Sequence, residues 1–294
     1  MTGTLPPPER GREIPPPRAV VERIVALALA EDLGRGDVTT EACVPPGVRG
    51  EAHVVARQPL VLAGLGVLRE VYRQVDPEVE VHDRARDGDA LERGQPVAHL
   101  HGRAASILAG ERVALNFVQH LSGIATTARR FVEALPPGSR TRITDTRKTT
   151  PGLRPLERYA VRCGGAHNHR EDLSSAVLIK DNHIAAAGGV RAAIERARRH
   201  APHTSRIECE VEDLEQLREA LDAGAEVVLL DNFDDEMLPE AIALARGRAL
   251  VEVSGGVTLA RVPIIAAAGA DVISAGALTL GAPAVDLGLD WIGP

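Results

Sequence analysis

Lysine is nearly missing from this 294-residue chain. Of its 34 Lys and Arg residues, only Lys148 and Lys180 are lysines. A chain that uses arginine for its surface cations keeps lysine where a compact, tunable ammonium serves and a planar guanidinium does not. Aromatic residues are also scarce, with three Phe, two Tyr and one Trp. The core must then be built from Val, Ile, Leu and Ala, which suits a buried parallel sheet covered by helices. The same scarcity argues against a base-stacking surface for single strands, and a net charge of −7 argues against generic nucleic-acid binding. No run of about 20 apolar residues is present, so no membrane span is expected, and the N-terminus lacks the apolar core of a signal peptide. The three cysteines, Cys43, Cys163 and Cys209, have no metal-ligand spacing. They are expected to be free thiols in a reducing cytoplasm.

What is present falls into three stretches. Residues 1–17 carry two triple-proline clusters, Pro6–Pro8 and Pro15–Pro17, and read as an extended or disordered tail. A helical pattern over Ala19–Glu31 leads into short β-like runs at His53–Ala56, Leu60–Ala63, Val79–His82 and Val97–His101. A helix over Leu65–Val75 interrupts these runs, and together they make a small α+β domain. A long helix follows over Ala104–Leu135, with a break expected near Ser122–Gly123.

Beyond Pro136 the rhythm turns regular. Strands are expected at Arg142–Asp145, Ala176–Lys180, Arg206–Val211, Glu226–Asp231, Ala249–Ser254 and Ala270–Ser274. Helices are expected at Leu156–Cys163, Gly189–His200, Leu214–Ala223, Pro239–Arg246 and Leu259–Ala268. Repeated βα units predict a parallel sheet or barrel. Each strand delivers a polar group at or near its C-terminal end: Asp145, Lys180, Glu210, Asp231, Ser254 and Ser274. In a βα barrel those ends converge on one face, where active sites are built.

The chemistry these residues offer is that of a polyanion site. Between Arg140 and Arg170 there are eight Lys and Arg residues against two acids, in a chain that is acidic as a whole. Arginine forks match carboxylates and phosphates, so Arg147, Lys148 and Arg170 point to a ligand with several negative charges, whereas Arg158 and Arg162 fit a solvated helix face. Glu208 and Glu210 alternate along one strand and share a side, and Asp231 ends the next. With a phosphorylated ligand, such carboxylates point to Mg²⁺ or to sugar hydroxyls. Ser254–Gly255–Gly256 and Ala275–Gly276 are glycine turns directly after strands, able to cradle a phosphate. No Walker or dinucleotide-binding motif is present.

These residues resemble the quinolinate phosphoribosyltransferase family, the carboxylating nicotinate-nucleotide pyrophosphorylases. The carriers are EDLGRGDVTT at Glu31–Thr40, ERVALNF at Glu111–Phe117, TDTRKTTPGLRPLERYAVRCGGAHNHR at Thr144–Arg170 and LIKDNHI at Leu178–Ile184. LLDNF at Leu229–Phe233, SGG at Ser254–Gly256 and GALT at Gly276–Thr279 complete them. The resemblance covers nearly all of the chain beyond the proline tail. It implies an N-terminal α/β sandwich over residues 18–122, joined by 283–294, and an incomplete seven-stranded parallel α/β barrel over 123–282. It also implies a homodimer in which Arg112 is lent to the partner subunit's site.

The reaction it implies joins quinolinate and 5-phosphoribosyl 1-pyrophosphate to give nicotinate mononucleotide, pyrophosphate and CO₂, with Mg²⁺. By the same resemblance Arg112, Thr146, Arg147, Lys148, His169, Arg170 and Lys180 surround the acid. Glu210 and Asp231 face the ribose and the metal, and Ser254, Gly255, Gly256, Ser274, Ala275 and Gly276 hold the 5-phosphate. Lys148, Lys180, Glu210 and Asp231 are the expected catalytic residues. The chain departs from the family pattern at Ala166, at Ser174–Ser175 and at Leu280, all beside the charged core. Two other readings stay open: a paralogue on the same fold acting on another acid, and a barrel aldolase in which Lys180 forms a Schiff base.

Overall fold

The computed structural model describes residues 14–293. The Pro6–Pro8 cluster lies outside them, and residues 14–17 carry no regular secondary structure. The chain divides into two compact units. Among the described residues, one takes in residues 14–129, Thr149–Gly165 and residues 279–293; the other takes in Arg130–Lys148 and Ala166–Leu278.

The first unit begins with α1 (Arg18–Leu33) and α2 (Val38–Cys43), then β1 (Arg49–Ala56), β2 (Leu60–Val61), α3 (Leu65–Val75), β3 (Glu80–Asp83), β4 (Ala90–Leu91) and β5 (Pro96–Arg103). Helix α4 (Ala104–Glu133) follows, and its last turn belongs to the other unit. Asp37 starts α2 by accepting the Thr40 amide at 3.0 Å, a standard N-cap for an Asp-x-x-Thr sequence. Strand β1 is longer than its apolar core because it is paired on both sides, with β5 and with the C-terminal strand at Leu287–Gly293. β2 and β4 pair over two residues each, too few to show a β period.

The expected break in α4 does not occur; the helix runs unbroken for 30 residues. Both suspected breakers have other duties. Ser122 Oγ accepts from the Ala63 amide at 3.0 Å and donates to the Ala63 carbonyl at 3.2 Å. A Cβ at Gly123 would collide with the Pro283 carbonyl, so glycine is there to let the chain at Pro283–Ala284 cross the helix.

The second unit contains β6 (Arg142–Thr144), which α5 (Arg154–Cys163) of the first unit follows in sequence. Then come β7 (Val177–Ile179), α6 (Asp181–Ala187), α7 (Val190–His200), β8 (Ile207–Val211), α8 (Leu214–Asp222), β9 (Val227–Asp231), α9 (Leu238–Ala245), β10 (Leu250–Ser254), α10 (Val262–Ala268) and β11 (Val272–Ser274). The C-terminal β12 (Leu287–Gly293) returns to the first unit. The strands form one parallel sheet in the order β6-β11-β10-β9-β8-β7. The first strand thus lies beside the last, as in a barrel, but the wall is incomplete. On its other side β6 makes only a single parallel bridge, Thr144 to His167. Where the resemblance implies seven strands, the described residues hold six and this one bridge.

Alternation explains the layering. Ile207, Cys209, Val211, Val228, Leu230, Val251, Val253 and Ile273 form one face of the sheet, apolar and buried. They pack beneath helices whose own buried residues are apolar, such as Ile194 on α7, Leu217 on α8, Ile242 on α9 and Ile265 on α10. Each large side chain buried this way contributes roughly 1.5–3 kcal/mol. The opposite face is left to carry polar groups.

Candidate active site

Register shows which polar groups share that inner face. Leu178 pairs with Glu208, Glu210 with Leu229, Leu229 with Glu252, Asp231 with Ser254, and Ser274 with Thr144. Residues paired directly across strands point to the same side. Thr144, Glu208, Glu210, Asp231, Glu252, Ser254 and Ser274 therefore line one face, and Lys180, two residues past Leu178, continues the same phase.

Asp145 was expected among these strand ends, but it falls out of phase. Thr144 takes the inner position, while Asp145 is wholly buried and serves the backbone. Its Oδ1 accepts from the His169 amide at 2.7 Å and its Oδ2 from Asn168 Nδ2 at 2.6 Å. Asp145 thus anchors the turn that presents His169.

His169 is the centre of the buried chemistry. Its Nε2 lies 3.3 Å from Glu252 Oε2 and 3.5 Å from Glu208 Oε2. Arg170's amide donates to its Nδ1 at 2.7 Å, a bond that favours the neutral ring with Nε2–H aimed at the two acids and so opposes their pull on a second proton. Burial disfavours the charged ring, but hydrogen bonds and charge from Glu208 and Glu252 outweigh it and raise the pKa to about 10. Burial and the neighbouring Glu252 in turn raise the Glu208 carboxyl. Glu208 Oε1 and Glu252 Oε1 are buried with no hydrogen-bond partner, which makes this end of the inner face costly to leave without a polar ligand. These three residues are also the group of possible metal ligands found among the described residues. The Nε2 proton between the carboxylates makes the cluster a proton-sharing one.

The cations surround this centre in sequence. Arg170 donates to the Ala176 carbonyl at 3.1 Å. Burial and the charge of Arg147 lower its pKa, so the two guanidiniums crowd each other and an anion near them relieves the strain. Thr146, Arg147 and Lys148 form the loop after β6, where the Lys148 amide donates to Thr146 Oγ1 at 3.1 Å. Lys148 itself is exposed. A Cβ at Gly276 would meet Lys148 Cδ at 2.9 Å, so this glycine makes room for the lysine stem. Lys180 forms an ion pair with the buried Glu210. A Schiff-base lysine attacks through an unengaged amine, so this pairing counts against that reading. Arg112 is exposed on α4, in the first unit.

The glycine turns are built differently from each other. Gly255 (φ +78°) and Gly256 (φ +56°) both take the left-handed conformation, and a Cβ on Gly255 would run into the Asn232 backbone. Asn232 is itself left-handed (φ 56°) and its amide donates to the Ser254 carbonyl at 3.1 Å. Arg261 holds the turn by its carbonyls, at 3.4 Å to Gly255 and 3.5 Å to Gly256. At the second turn the Ala275 amide is committed to the sheet, donating to Thr144 at 3.1 Å. Ser274 is buried beside it.

Glu210 and Asp231 are oxygen donors at the ends of neighbouring strands, the hard ligand chemistry that suits Mg²⁺. Asp231 Oδ2 accepts from Asn232 Nδ2 at 2.8 Å. With Glu210 paired to Lys180, Asp231 is the less encumbered of the two.

Sequence reasoning left Glu252, Asn168 and Arg261 without roles. The signal for Glu252 was available: a lone acid inside an apolar strand, two residues before Ser254 and so on its face. Asn168 and Arg261 act through contacts distant in sequence, which no local pattern reveals.

Cations, buried carboxylates and glycine turns gathered at the strand ends of an open parallel barrel define an α/β protein built to handle a small polyanion. Comparison with known proteins narrows this. The family model for the quinolinate phosphoribosyl transferase N-terminal domain matches residues 37–122, and that for its C-terminal domain matches 124–290. The chain is 43% identical over 261 residues to a probable nicotinate-nucleotide pyrophosphorylase (carboxylating) of Bacillus subtilis (strain 168), covering 88% of this chain and 89% of that one. It is 38% identical over 288 residues to the mitochondrial quinolinate phosphoribosyltransferase (decarboxylating) 2b of Nicotiana tabacum, covering 92% and 81%. The solved structure of the nicotinate-nucleotide pyrophosphorylase from Francisella tularensis superposes with a TM-score of 0.89 at 38% identity, covering 94% of this chain and 97% of that one. The chain belongs to the quinolinate phosphoribosyltransferase family.

Proposed function

We propose that this chain transfers the phosphoribosyl group of 5-phosphoribosyl 1-pyrophosphate to quinolinate with decarboxylation, giving nicotinate mononucleotide, pyrophosphate and CO₂ in de novo NAD biosynthesis. The observation that carries the reading is the cationic wall of Arg147, Lys148 and Arg170 beside the inner face, with His169 set against two buried acids that raise its pKa. Quinolinate has two carboxylates and needs several cations. Each charge pair at about 4 Å is worth roughly 4 kcal/mol at an effective dielectric near 20, before desolvation. Arg147, Arg170 and His169 bind and orient the acid, and Lys148 and Lys180 lie toward the pyrophosphate-bearing partner.

As pyrophosphate leaves, positive charge develops on the ribose, and Glu210 and Asp231 stabilise it electrostatically. Bonding of the ring nitrogen to the ribose makes a cationic pyridinium; as CO₂ departs, the bonding pair stays on C2, stabilised by the adjacent cationic nitrogen, and takes up a proton from water. No covalent nucleophile is required. Mg²⁺, held by Asp231 with Glu210 and substrate oxygens, would neutralise charge on the leaving pyrophosphate. The glycine turn at Ser254–Gly256, with Ser274 and Gly276, would hold the 5-phosphate.

The reading includes a cytoplasmic homodimer in which each subunit lends Arg112 to the other's site. No described helix is long and apolar enough to cross a membrane. Calorimetric titration separates the substrate choices. Quinolinate should bind at least about tenfold more tightly than nicotinate, since it offers one more charge pair. Equal binding would favour the paralogous reading.

A further inference from the structure

Arg261 stands one residue before α10, and its side chain reaches back over two loops of the second unit. Its Nη1 donates to the carbonyls of Gly255 and Gly256 at 3.4 and 3.5 Å, and its Nη2 to the Phe233 carbonyl at 3.0 Å. Asp235 closes the arrangement: its Oδ1 accepts from Arg261 Nε at 3.0 Å and from Nη2 at 2.6 Å. One guanidinium thus joins the loop that follows Asp231 to the glycine turn that follows β10. A planar fork with donors on three nitrogens can make such a junction; a lysine ammonium, with its donors on one atom, cannot.

The consequence lies on the far side of the turn. In a trans peptide the C=O and the N–H point in opposite directions. With the Gly255 and Gly256 carbonyls drawn toward Arg261, the Gly256 and Val257 amides are turned away from it. Neither amide has an acceptor among the described residues. Two successive free amides on one turn are the donors that a phosphate takes. Left-handed glycines permit this turn, and the guanidinium fixes which way its amides face.

We propose that Arg261, anchored by Asp235, is a positioning residue for capture of the 5-phosphate. It aims the amides of the Ser254–Gly256 turn and ties that turn to the loop carrying Asp231. The inference rests on the proposed function, in which this turn holds the 5-phosphate. Arg261 does not itself bind the phosphate: its five contacts occupy its five N–H donors.

Ribose 5-phosphate carries this phosphate without the pyrophosphate, and its calorimetric titration into the full chain tests the proposal. Arg261→Lys keeps the charge and loses the fork. It should weaken ribose 5-phosphate binding roughly tenfold and leave quinolinate binding as in the parent chain. In the assay it should raise KM for 5-phosphoribosyl 1-pyrophosphate by more than it lowers kcat, because the phosphate is held alike in the ground and transition states. Asp235→Asn separates positioning from direct contact. A guanidinium that bound phosphate would be freed by losing its counter-ion, and affinity would rise. One that aims the turn loses its anchor, and affinity should fall roughly threefold. Gly255→Ala, whose Cβ would run into Asn232, checks the underlying reading. If it leaves ribose 5-phosphate binding unchanged, the turn is not the phosphate site, and that element of the proposed function falls together with the proposal. If Gly255→Ala weakens binding while Arg261→Lys and Asp235→Asn do not, or if Asp235→Asn tightens it, the role of Arg261 alone is overturned.

Discussion

Replacing Glu252 by Gln should move the titration of a residue it merely touches. Glu252 and Glu208 lie 3.3 and 3.5 Å from His169 Nε2 and together raise its pKa from 6.5 to about 10 against the opposing effect of burial. A rise of that size corresponds to roughly 5 kcal/mol in favour of the protonated ring. Gln keeps the shape of Glu252 and deletes its charge. Glu208, freed of a like charge, becomes the more fully ionised partner and limits the loss. The His169 pKa should then fall by about two pH units, to near 8. With Glu208→Gln added, burial is left without opposition and the value should drop below that of a free imidazole.

The sign of the functional effect follows. In the parent chain His169 stays cationic up to about pH 10, so its grip on a carboxylate should not fade between pH 7 and 9. In Glu252→Gln the grip should weaken as pH rises past about 8. NMR titration of the imidazole signals, with His169 assigned by their loss in His169→Asn, reads the pKa directly. Quinolinate titrations at pH 7 and 9 read the consequence. A parent His169 that titrates near 6.5, or an unchanged value in Glu252→Gln, would refute the reasoning.

Four further outcomes are expected. Gly123→Ala should cost about 1–3 kcal/mol, measured by denaturant unfolding, because the new methyl collides with the Pro283 carbonyl. Glu157→Ala should cost about 2–4 kcal/mol by the same measurement: the carboxylate is wholly buried, 2.8 Å from His120 Nε2 and 3.2 Å from the Thr150 amide, and both would lose their partner. Lys148→Arg keeps the charge but should lose most of kcat, since the bulkier guanidinium stem must pass Gly276. Arg112→Ala and Lys148→Ala chains, each inactive alone, should recover part of the activity when mixed as heterodimers, and no recovery would contradict a shared site.

The second unit was the more legible part of the fold because its strands announce themselves twice. Ile-Glu-Cys-Glu-Val and Leu-Val-Glu-Val-Ser are apolar on the helix side and carry their acids on the inner side, and each has at its end, or one residue before it, a group the inner face uses. The exception, Asp145, shows the limit of reading strand ends. A one-residue offset turned it from the inner row to the side-chain amide of Asn168 and the backbone of His169, and phase is fixed by pairing, which the sequence does not state. The first unit was harder. β2 and β4 are two residues long, and Gly123 carries a breaker's signature only because a distant segment crosses there. Within the site the basic cluster stood out by composition. Glu252, which tunes His169, did not, because a single buried acid gains its meaning from a partner 83 positions away.

The central claim is tested most directly by product accounting. The purified chain is incubated with quinolinate labelled at the C2 carboxylate, 5-phosphoribosyl 1-pyrophosphate and Mg²⁺, and CO₂, pyrophosphate and mononucleotide are measured together. The account predicts equal amounts of all three, with none formed when nicotinate replaces quinolinate. Mononucleotide formed from nicotinate, or pyrophosphate released without labelled CO₂, would contradict it.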